Sequence, residues 1–304
     1  MRRLSLLIAL SLLTASGGMH AAPPTPVIVE LFTSEGCSDC PPADTLLEKL
    51  ITTQPIAGVE IVGLGQHVDY WDRQGWKDQF SSAAWTSRQQ IYQGRFATES
   101  IYTPQMVVDG RAEFVGSDAA AARKAIERTM ALPHGVVQVT IGDDRKAPSL
   151  APQRPSLAPQ RPSLAPQRPS LAPQRPSLAP QRPSLAPQTP SLLLQIAVSV
   201  SDLPTLGRGD RADIIVAIVE SGLRTDVKRG ENRGRMLLHA PVVRSLAVIG
   251  HVAGDGATSG FARADIPLAA GWQCDHLAVV AFVQELRGRT ILASASVPLK
   301  NARP

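Results

Sequence analysis

Two cysteines separated by two residues, Cys37 and Cys40, lie in the stretch SEGCSDCPPAD (34–44). A Cys-x-x-Cys pair can exchange disulfides, hold a soft metal ion or form a structural bridge. If a helix begins directly after the pair, its free amides and the positive end of its dipole stabilise a thiolate. We therefore expect Cys37 to be the more exposed, attacking thiol and Cys40 to resolve the mixed disulfide.

Two prolines and two acidic residues modify this expectation. Pro41 and Pro42 follow the pair, and Glu35 and Asp39 flank Cys37. Because a proline disfavours helical geometry in the residue before it, we expect the helix to begin slightly later than usual, which leaves fewer N–H groups facing Cys37. The two carboxylates oppose thiolate formation as well. The sequence therefore predicts a dithiol less oxidising than its position suggests, with the poise of a reductase or an isomerase.

Further candidate side chains occur in HVDYWD (67–72), which ends the second predicted strand. The carboxyl ends of parallel strands meet at one edge of a sheet, so His67 and Asp69 are expected to face the dithiol. Asp69 could orient His67 as an acid–base pair for thiol exchange. Alternatively, Cys37, Cys40 and His67 could bind copper or zinc. A third interpretation is that His67 and the neighbouring aromatic residues only pack the loop.

The surrounding sequence predicts the elements that position these groups. An apolar strand precedes the cysteines, and leucines at helical spacing follow them. The predicted order is strand 26–32, the Cys-x-x-Cys pair, helix 43–54, strand 58–68, helix 81–96, a Thr-Pro step, strands 105–110 and 112–116, and helix 118–132 capped by Ser117. This order is similar to the minimal thioredoxin fold, so we expect residues 23–133 to form an α/β thioredoxin-like domain.

The Thr-Pro step at Pro104 gains a role from that similarity. In the thioredoxin fold, a cis-proline faces the dithiol, and the backbone beside it pairs with an extended substrate. We therefore group Pro104 with Cys37, Cys40, His67 and Asp69 as candidate catalytic residues. An ordinary trans bond in a turn is the alternative.

Several longer stretches resemble one family. They are LFTSEGCSDCPPAD (31–44), HVDYWD (67–72) with GWKDQF (75–80), IYTPQMVVDGR (101–111) and GENRGR (230–235). The family is the bacterial secreted thioredoxin-like one known as domain of unknown function twelve twenty-three. The resemblance implies an exported protein with a thioredoxin-like N-terminal domain, and it supplies no activity. The repeat described next departs from the family pattern.

A proline-rich repeat interrupts the second half of the chain. The heptad Ser-Leu-Ala-Pro-Gln-Arg-Pro recurs through residues 148–190 with almost no variation, which favours tandem duplication. One leucine per heptad cannot build a core, so we expect an extended, disordered insert. Strand patterns at 135–142 and 192–200 flank it like a hairpin with a swollen loop. We therefore predict one domain composed of 134–147 and 191–304.

That second domain is predicted to be all-β and sandwich-like. Alternating or apolar runs are separated by Gly, Asp and Arg-Gly turns, and with the two flanking strands they number about seven. The runs are 212–221, 242–250, 260–268, 276–286 and 290–299. The basic segment VKRGENRGR (227–235) is expected to be a solvated loop, with guidance of a partner or capping of the dithiol as alternatives. Cys274 is expected to be a lone buried thiol at a strand start, with a disulfide as the alternative.

The N-terminus predicts export. Residues 1–22 combine a basic start, an apolar run of about 10 residues and a small-residue stretch, which is typical of a secretory signal peptide. We therefore expect a periplasmic or secreted protein without stable membrane insertion after cleavage. Its expected partners are periplasmic protein thiols or a redox partner, which favours a thiol–disulfide oxidoreductase. A metal-binding module or a non-catalytic interaction protein remains an alternative.

The net charge gives no sign of a nucleic-acid partner. The 304-residue chain has a formal charge of +5, but two arginines belong to the predicted signal and five to the repeat. About −2 then remains for the folded part, so the sequence predicts no basic surface for nucleic acid.

Overall fold

The structure is a computed structural model that describes residues 23–142, 192–206, 209–254 and 256–302. The predicted signal peptide (1–22) and the heptad repeat (148–190) lie outside the described residues. The α-helices are α1 (Pro41–Thr53), α2 (Ala83–Phe96) and α3 (Ala119–Met130). The strands are β1 (Thr25–Thr33), β2 (Val59–His67), β3 (Gln105–Val108), β4 (Ala112–Val115), β5 (Val136–Ile141), β6 (Leu192–Ser201), β7 (Arg211–Glu220), β8 (Arg224–Asp226), β9 (Met236–Leu238), β10 (Val242–Ala253), β11 (Gly260–Leu268), β12 (Leu277–Glu285) and β13 (Ile291–Pro298).

An eight-stranded mixed sheet has the order β13-β12-β7-β10-β2-β1-β3-β4. β1 and β2 run parallel, whereas β3 and β4 add to the sheet in antiparallel fashion. β10 joins the sheet by pairing with β2 at Val242 and Gly65. There the amide of Gly65 donates to the carbonyl of Pro241 at 2.7 Å, and a Cβ at position 65 would lie 3.0 Å from that oxygen. Glycine therefore permits the close approach that connects the two halves of the sheet.

Strand alternation distributes the apolar residues to both faces of this sheet. In β1, Val29 and Leu31 face a core that includes Leu47 of α1 and Ile126 of α3. Phe32 faces the opposite core, together with residues of α2, β7 and β12. Helices α1 and α3 thus cover one face of the β1–β4 part, and α2 covers the other.

A three-stranded sheet, in the order β11-β6-β5, covers the rest of the main sheet. Ile196 and Val198 of β6 share a core with Val216 of β7 and Val279 of β12. This region therefore has two packed sheets, one of which continues into the β1–β4 part. The division into a thioredoxin-like domain and a separate all-β domain stays a prediction.

The structure confirms the predicted order of strands and helices over residues 26–133, with small shifts at the ends of elements. One predicted cap is wrong. Asp118, not Ser117, caps α3, and its Oδ1 accepts hydrogen bonds from the amides of Ala120 (3.0 Å) and Ala121 (2.9 Å). Since α3 begins at residue 119, Ser117 lies one position too early to reach these amides.

Two further details differ from the expectations. The hairpin of β8 and β9 occurs in a segment without predicted strands. Cys274 lies in a 3-10 turn three residues before β12 and is half-buried, so the expectation of a buried thiol at a strand start is wrong. Among the described residues, no helix has the length and apolar character needed to cross a bilayer.

Candidate functional site

Cys37 and Cys40 form a disulfide at the N-terminus of α1, with 5.4 Å between their Cα atoms. Cys40 is the N-cap residue of the helix, so the pair directly precedes the first turn. Both cysteines are buried, with only 1% of Cys37 exposed. The expectation of an exposed Cys37 is therefore wrong, because other segments cover the pair.

The first turn of α1 leaves few amides for a thiolate. Pro41 and Pro42 occupy the first two helical positions and have no N–H group. The next two amides, of Ala43 and Asp44, both donate to the carbonyl of Cys40, at 2.9 and 3.2 Å. The first four helical positions therefore direct no free amide toward the sulfur atoms, as expected. The expected late start of the helix is wrong, because α1 begins at Pro41, directly after the dithiol.

The β8–β9 hairpin covers the dithiol, and we call residues 224–238 the cap hairpin. At its tip, the fully buried Asn232 donates from Nδ2 to the carbonyls of Glu35 and Cys37, both at 2.9 Å. The neighbouring Glu231 accepts a hydrogen bond on Oε2 from the amide of Ser38 at 3.0 Å. The prediction of a solvated loop is therefore wrong for this tip, since its polar groups bind the backbone of the Cys-x-x-Cys segment.

Glu35 connects the cap hairpin to the loop after β2. Its carboxylate accepts hydrogen bonds from Trp76 Nε1 and from the hydroxyl of Thr225, each at 2.6 Å. Nearby, Trp71 Nε1 donates to Thr103 Oγ1 at 2.8 Å. The tryptophans thus fix the loops around the dithiol through hydrogen bonds as well as packing.

His67 lies at the end of β2 and pairs with Asp78, at 2.6 Å between Nδ1 and Oδ2. Asp69, the partner predicted from the sequence, instead accepts a hydrogen bond from Thr86 Oγ1 of α2 at 2.6 Å. The predicted His67–Asp69 pair is therefore wrong. The chain leaves the sheet after β2, and a residue eleven positions later returns to the histidine while Asp69 faces α2.

His67 and Asp78 each shift the pKa of the other. Burial alone would lower the pKa of His67, but the carboxylates of Asp78, Asp44 and Glu35 outweigh it and raise that pKa. Burial would raise the pKa of Asp78, but the imidazole and two backbone amides lower it below the ordinary range. Both directions favour an ionised Asp78 that holds the His67 ring in one orientation.

Further buried groups gather behind the disulfide and form what we call the carboxylate–histidine cluster. Its members are Glu35, Asp44, His67, Asp78 and His239. Burial raises the pKa of Asp44 against the influence of His67, Thr33 and His239. Asp44 Oδ1 and His67 Nε2 are buried without a hydrogen-bond partner. The cluster thus contains polar atoms that the folded chain does not satisfy.

The peptide bond between Thr103 and Pro104 is cis. Its neighbour Gly116 donates its amide to the carbonyl of Pro104 at 2.9 Å, and a Cβ at position 116 would lie 3.1 Å from both Pro104 and Ala43. Pro104 and Ala43, in the first turn of α1, therefore both pack against Gly116. Its predicted catalytic role stays a prediction.

Sequence reasoning missed four residues of this site: Asp44, Asp78, Asn232 and His239. The first three lie inside the motifs SEGCSDCPPAD, GWKDQF and GENRGR, so the motifs mark the right segments without giving the roles. His239 lies outside every motif, directly after β9. The structure does not bring the predicted metal set of Cys37, Cys40 and His67 together; the described residues that could converge on an ion are Asp44, His67 and His239.

A comparison with known families gives one match, to the family described as "Protein of unknown function (DUF1223)", over residues 28–156 and 177–284. These residues make up most of the chain. The chain belongs to the DUF1223 family. No curated protein matches it.

Solved structures extend the comparison for this DUF1223 member. A crystal structure of a protein from Agrobacterium tumefaciens is similar with a TM-score of 0.60 and 21% identity, covering 93% of this chain and 99% of that one. HBP35 of Porphyromonas gingivalis is similar with a TM-score of 0.53 and 13% identity, covering 93% of this chain and 78% of that one. At these identities the likeness concerns the fold alone.

Proposed function

We propose that this DUF1223 protein is an exported thiol–disulfide oxidoreductase whose N-terminal part is a thioredoxin-like unit. The observation that carries the proposal is the Cys37–Cys40 disulfide at the N-terminus of α1. The signal-like pattern of residues 1–22 supports export to an oxidising compartment, where such a disulfide persists. Its substrates are disulfides or thiols of other periplasmic proteins.

The proposed reaction is two-step thiol–disulfide exchange. In the reduced protein, the Cys37 thiolate attacks a substrate disulfide, forms a mixed disulfide and expels one substrate thiolate. The Cys40 thiolate then attacks Cys37 Sγ, which releases the second substrate thiol and forms the Cys37–Cys40 disulfide. Two electrons pass to the substrate, and a dithiol redox partner returns the protein to the reduced form.

The environment of the pair supports a reducing direction. A strong oxidant stabilises its attacking thiolate with helix amides, whereas here two of the first positions are proline and the next two amides serve the Cys40 carbonyl. A poorly stabilised thiolate favours the disulfide over the dithiol. We therefore expect a potential nearer to the about −270 mV of thioredoxin than to the about −120 mV of the strongest known oxidants of this type.

Because the dithiol is buried, exchange with a protein substrate has a further structural requirement. With Cys37 only 1% exposed, a protein substrate cannot reach its sulfur while Asn232 binds the backbone on either side of it. Catalysis on proteins therefore requires the cap hairpin to move away. The hydrogen bonds of Asn232, Glu231 and Thr225 are among the contacts that resist this movement.

The test is disulfide trapping in periplasmic extract. The variant Cys40→Ser, in a Cys274→Ser background, retains only the Cys37 thiol and should accumulate mixed disulfides with other proteins. The matched control is Cys37→Ser in the same background, which leaves the resolving thiol and should trap far less. The wild-type pair should equilibrate with glutathione in a thiol-trapping titration.

Two results would overturn the proposal. One is equal trapping by the two variants. The other is a Cys37–Cys40 pair that stays oxidised throughout the glutathione titration under native conditions and reacts only in denaturant. Either result would favour a structural bridge in an interaction protein.

A further inference from the structure

The carboxylate–histidine cluster is built in a way that the proposed thiol chemistry does not explain. Asp44 comes from the first turns of α1, His67 from the end of β2, and His239 from the residue after β9. One ligand-type atom from each lies within 4.8 Å of the other two, and all three residues are buried. Three separate elements therefore direct metal-type donors to one point.

The donors are of the kind that zinc selects. Two imidazole nitrogens and one carboxylate oxygen, with a fourth position left for water, make a familiar zinc set. In a tetrahedral zinc site with bonds of about 2.0–2.2 Å, ligand atoms lie about 3.4 Å apart, so a small inward movement of these side chains completes the geometry. The cavity that Asp44, His67 and His239 help to line has a volume of about 10 Å³, roughly the space of one small ion or water molecule.

Two unpartnered atoms point independently to a missing ligand. Asp44 Oδ1 and His67 Nε2 are fully buried and have no hydrogen-bond partner among the residues that the structure describes. Burial of a polar atom without a hydrogen-bond partner is unfavourable, because the atom loses its hydrogen bonds to water. The other oxygen of Asp44 accepts a hydrogen bond from Thr33 Oγ1 at 2.7 Å, which orients the carboxylate. An ion bound to Oδ1 and Nε2 would satisfy both atoms.

The surrounding side chains are arranged as supports for metal ligands. Asp78 binds Nδ1 of His67 at 2.6 Å and leaves Nε2 as the coordinating nitrogen, the usual carboxylate–histidine–metal arrangement. Glu35 Oε1 and Thr225 Oγ1 lie 3.4 and 3.0 Å from Nε2 of His239 and hold that ring. Both imidazoles are thus fixed by second partners.

The charges of the cluster also favour a cation. Glu35, Asp44 and Asp78 are three buried carboxylates. In the described part of the chain, Asp78 pairs with His67 and Glu35 with His239, and none of the three pairs with an arginine or lysine. Buried charges in proteins are paired or coordinate metals. A divalent ion bound by the two imidazoles and Asp44 would offset the negative charge of these buried carboxylates.

We propose that Asp44, His67 and His239 bind one zinc ion behind the disulfide, and that the ion fastens the base of the cap hairpin to α1 and β2. The proposal does not require the dithiol to be catalytic, because no sulfur atom belongs to the ligand set. His239 follows the last strand of the hairpin directly, so metal binding resists the opening of the cap.

The first test is titration of the mature, metal-free protein with zinc chloride in a calorimeter, followed by metal analysis after dialysis. We expect one zinc per chain, binding at least 100-fold weaker in His67→Gln, His239→Gln and Asp44→Asn, and about 10–100-fold weaker in Asp78→Asn. The control His251→Gln alters an exposed histidine of β10 and should bind like the wild type. Equal binding by His251→Gln and His67→Gln, or no binding by the wild type, would overturn the proposal.

A second measurement avoids variants that fail to fold. Cobalt chloride added to the oxidised wild type should give the visible bands of a tetrahedral nitrogen–oxygen site, without sulfur-to-cobalt charge transfer. The double variant Cys37→Ser/Cys40→Ser should give the same spectrum, whereas its loss would mean that the cysteines are the ligands. Hydrogen exchange should show slower exchange in residues 224–238 with zinc; unchanged exchange would overturn the fastening of the cap.

Discussion

Two buried charged clusters lie on different parts of the main sheet and are built on opposite principles. In one, Glu30 of β1 binds Arg88 of α2 through both carboxylate oxygens, and the hydroxyl of Tyr92 also donates to this carboxylate. Gln284 of β12 completes this arginine cluster through Arg88 and Tyr92. In the carboxylate–histidine cluster, three carboxylates face two imidazoles, and two buried atoms have no partner.

This difference indicates that the arginine cluster is structural, whereas the carboxylate–histidine cluster is suited to binding a ligand. The arginine cluster offsets its carboxylate with a permanent cation, and burial of the guanidinium is outweighed by Glu30, which raises the pKa of Arg88. Gln66 of β2 also belongs to this cluster, because its Nε2 donates to Glu30 at 2.6 Å. Its Oε1 is the one buried side-chain atom of the cluster without a hydrogen-bond partner among the described residues. The carboxylate–histidine cluster instead contains two buried polar atoms, next to a disulfide, that have no hydrogen-bond partner among the described residues. Buried polar residues that have hydrogen-bond partners therefore join the halves of the sheet, whereas those without partners are available for binding.

The largest expected effect comes from breaking the arginine cluster. Arg88→Met leaves the fully buried Glu30 without its cation, and loss of one partner of a buried pair costs about 3–5 kcal/mol. Denaturant unfolding followed by circular dichroism should show a loss of this size. The double variant Glu30→Gln/Arg88→Met should recover much of the loss, because no uncompensated charge remains. A loss below about 1 kcal/mol in Arg88→Met would remove the structural role from this cluster.

A smaller effect is expected at the edge of the carboxylate–histidine cluster, in Asn232→Ala. This change leaves the buried carbonyls of Glu35 and Cys37 without donors, which should weaken the closed cap by about 2 kcal/mol. Opening would then be roughly 30-fold more frequent. The rate at which a neutral dithiol reduces the Cys37–Cys40 disulfide should rise accordingly, while the free energy of global unfolding should fall by no more than about 2 kcal/mol.

The control for this prediction is Arg233→Ala. Arg233 is the exposed neighbour on the same loop, and it contributes a backbone amide bond to Gly230 that the substitution retains. Its reduction rate should match that of the wild type. Equal rates for Asn232→Ala and the wild type would mean that the cap does not limit access to the disulfide.

The comparison also explains which parts the sequence could predict. Strand and helix order over residues 26–133 follows from local periodicity, so the predictions hold to within a few residues. The pairing of β2 with β10 depends on a close approach at Gly65 between segments far apart in the chain. No local pattern encodes such a contact, and one continuous sheet was therefore not predicted.

The residues of the candidate site likewise divide into those that local sequence signals predict and those that they do not. Cys37, Cys40 and His67 were recognised because their motif and strand-end positions are local signals. Asp69 was preferred as the partner of His67 because it is near in sequence, yet Asp78 reaches the ring after a loop. Asn232 and His239 come from a hairpin nearly 200 residues later, so only tertiary structure brings them to the dithiol.

The exposed helix cap of α3 provides a reference value for the changes in unfolding free energy expected in the two buried clusters. Asp118 caps α3 by accepting from two amides, and Asp118→Ala should cost about 1 kcal/mol. Ser117→Ala, one residue earlier, should leave the unfolding free energy unchanged. The pair of variants can be measured by the same denaturant unfolding as Arg88→Met. A similar loss in both would mean that the helix begins with Ser117 as its cap.

A further buried carboxylate, Asp109, belongs to neither cluster and should give the smallest effect. Its Oδ1 accepts the amide of Ile28 at 2.7 Å, and its Oδ2 lies 3.3 Å from Nε2 of His134, but it has no arginine partner among its described ion pairs. Burial therefore raises its pKa above 3.8, despite the opposing influence of His134 and Ile28. A raised carboxyl pKa means that the folded state favours the protonated form.

The raised pKa of Asp109 determines how the Tm difference between Asp109→Asn and the wild type changes with pH. As pH rises from 3.8 through the raised pKa, the wild type loses stability, because it must ionise a buried group that ionises more easily when unfolded. The asparagine oxygen can still accept the Ile28 amide, and the left-handed backbone at φ 44° suits asparagine. The Tm of Asp109→Asn should therefore match the wild type below about pH 4 and exceed it slightly near pH 7. A lower Tm near pH 7 would mean that the ion pair with His134 outweighs burial, which would make Asp109 a small version of the arginine cluster.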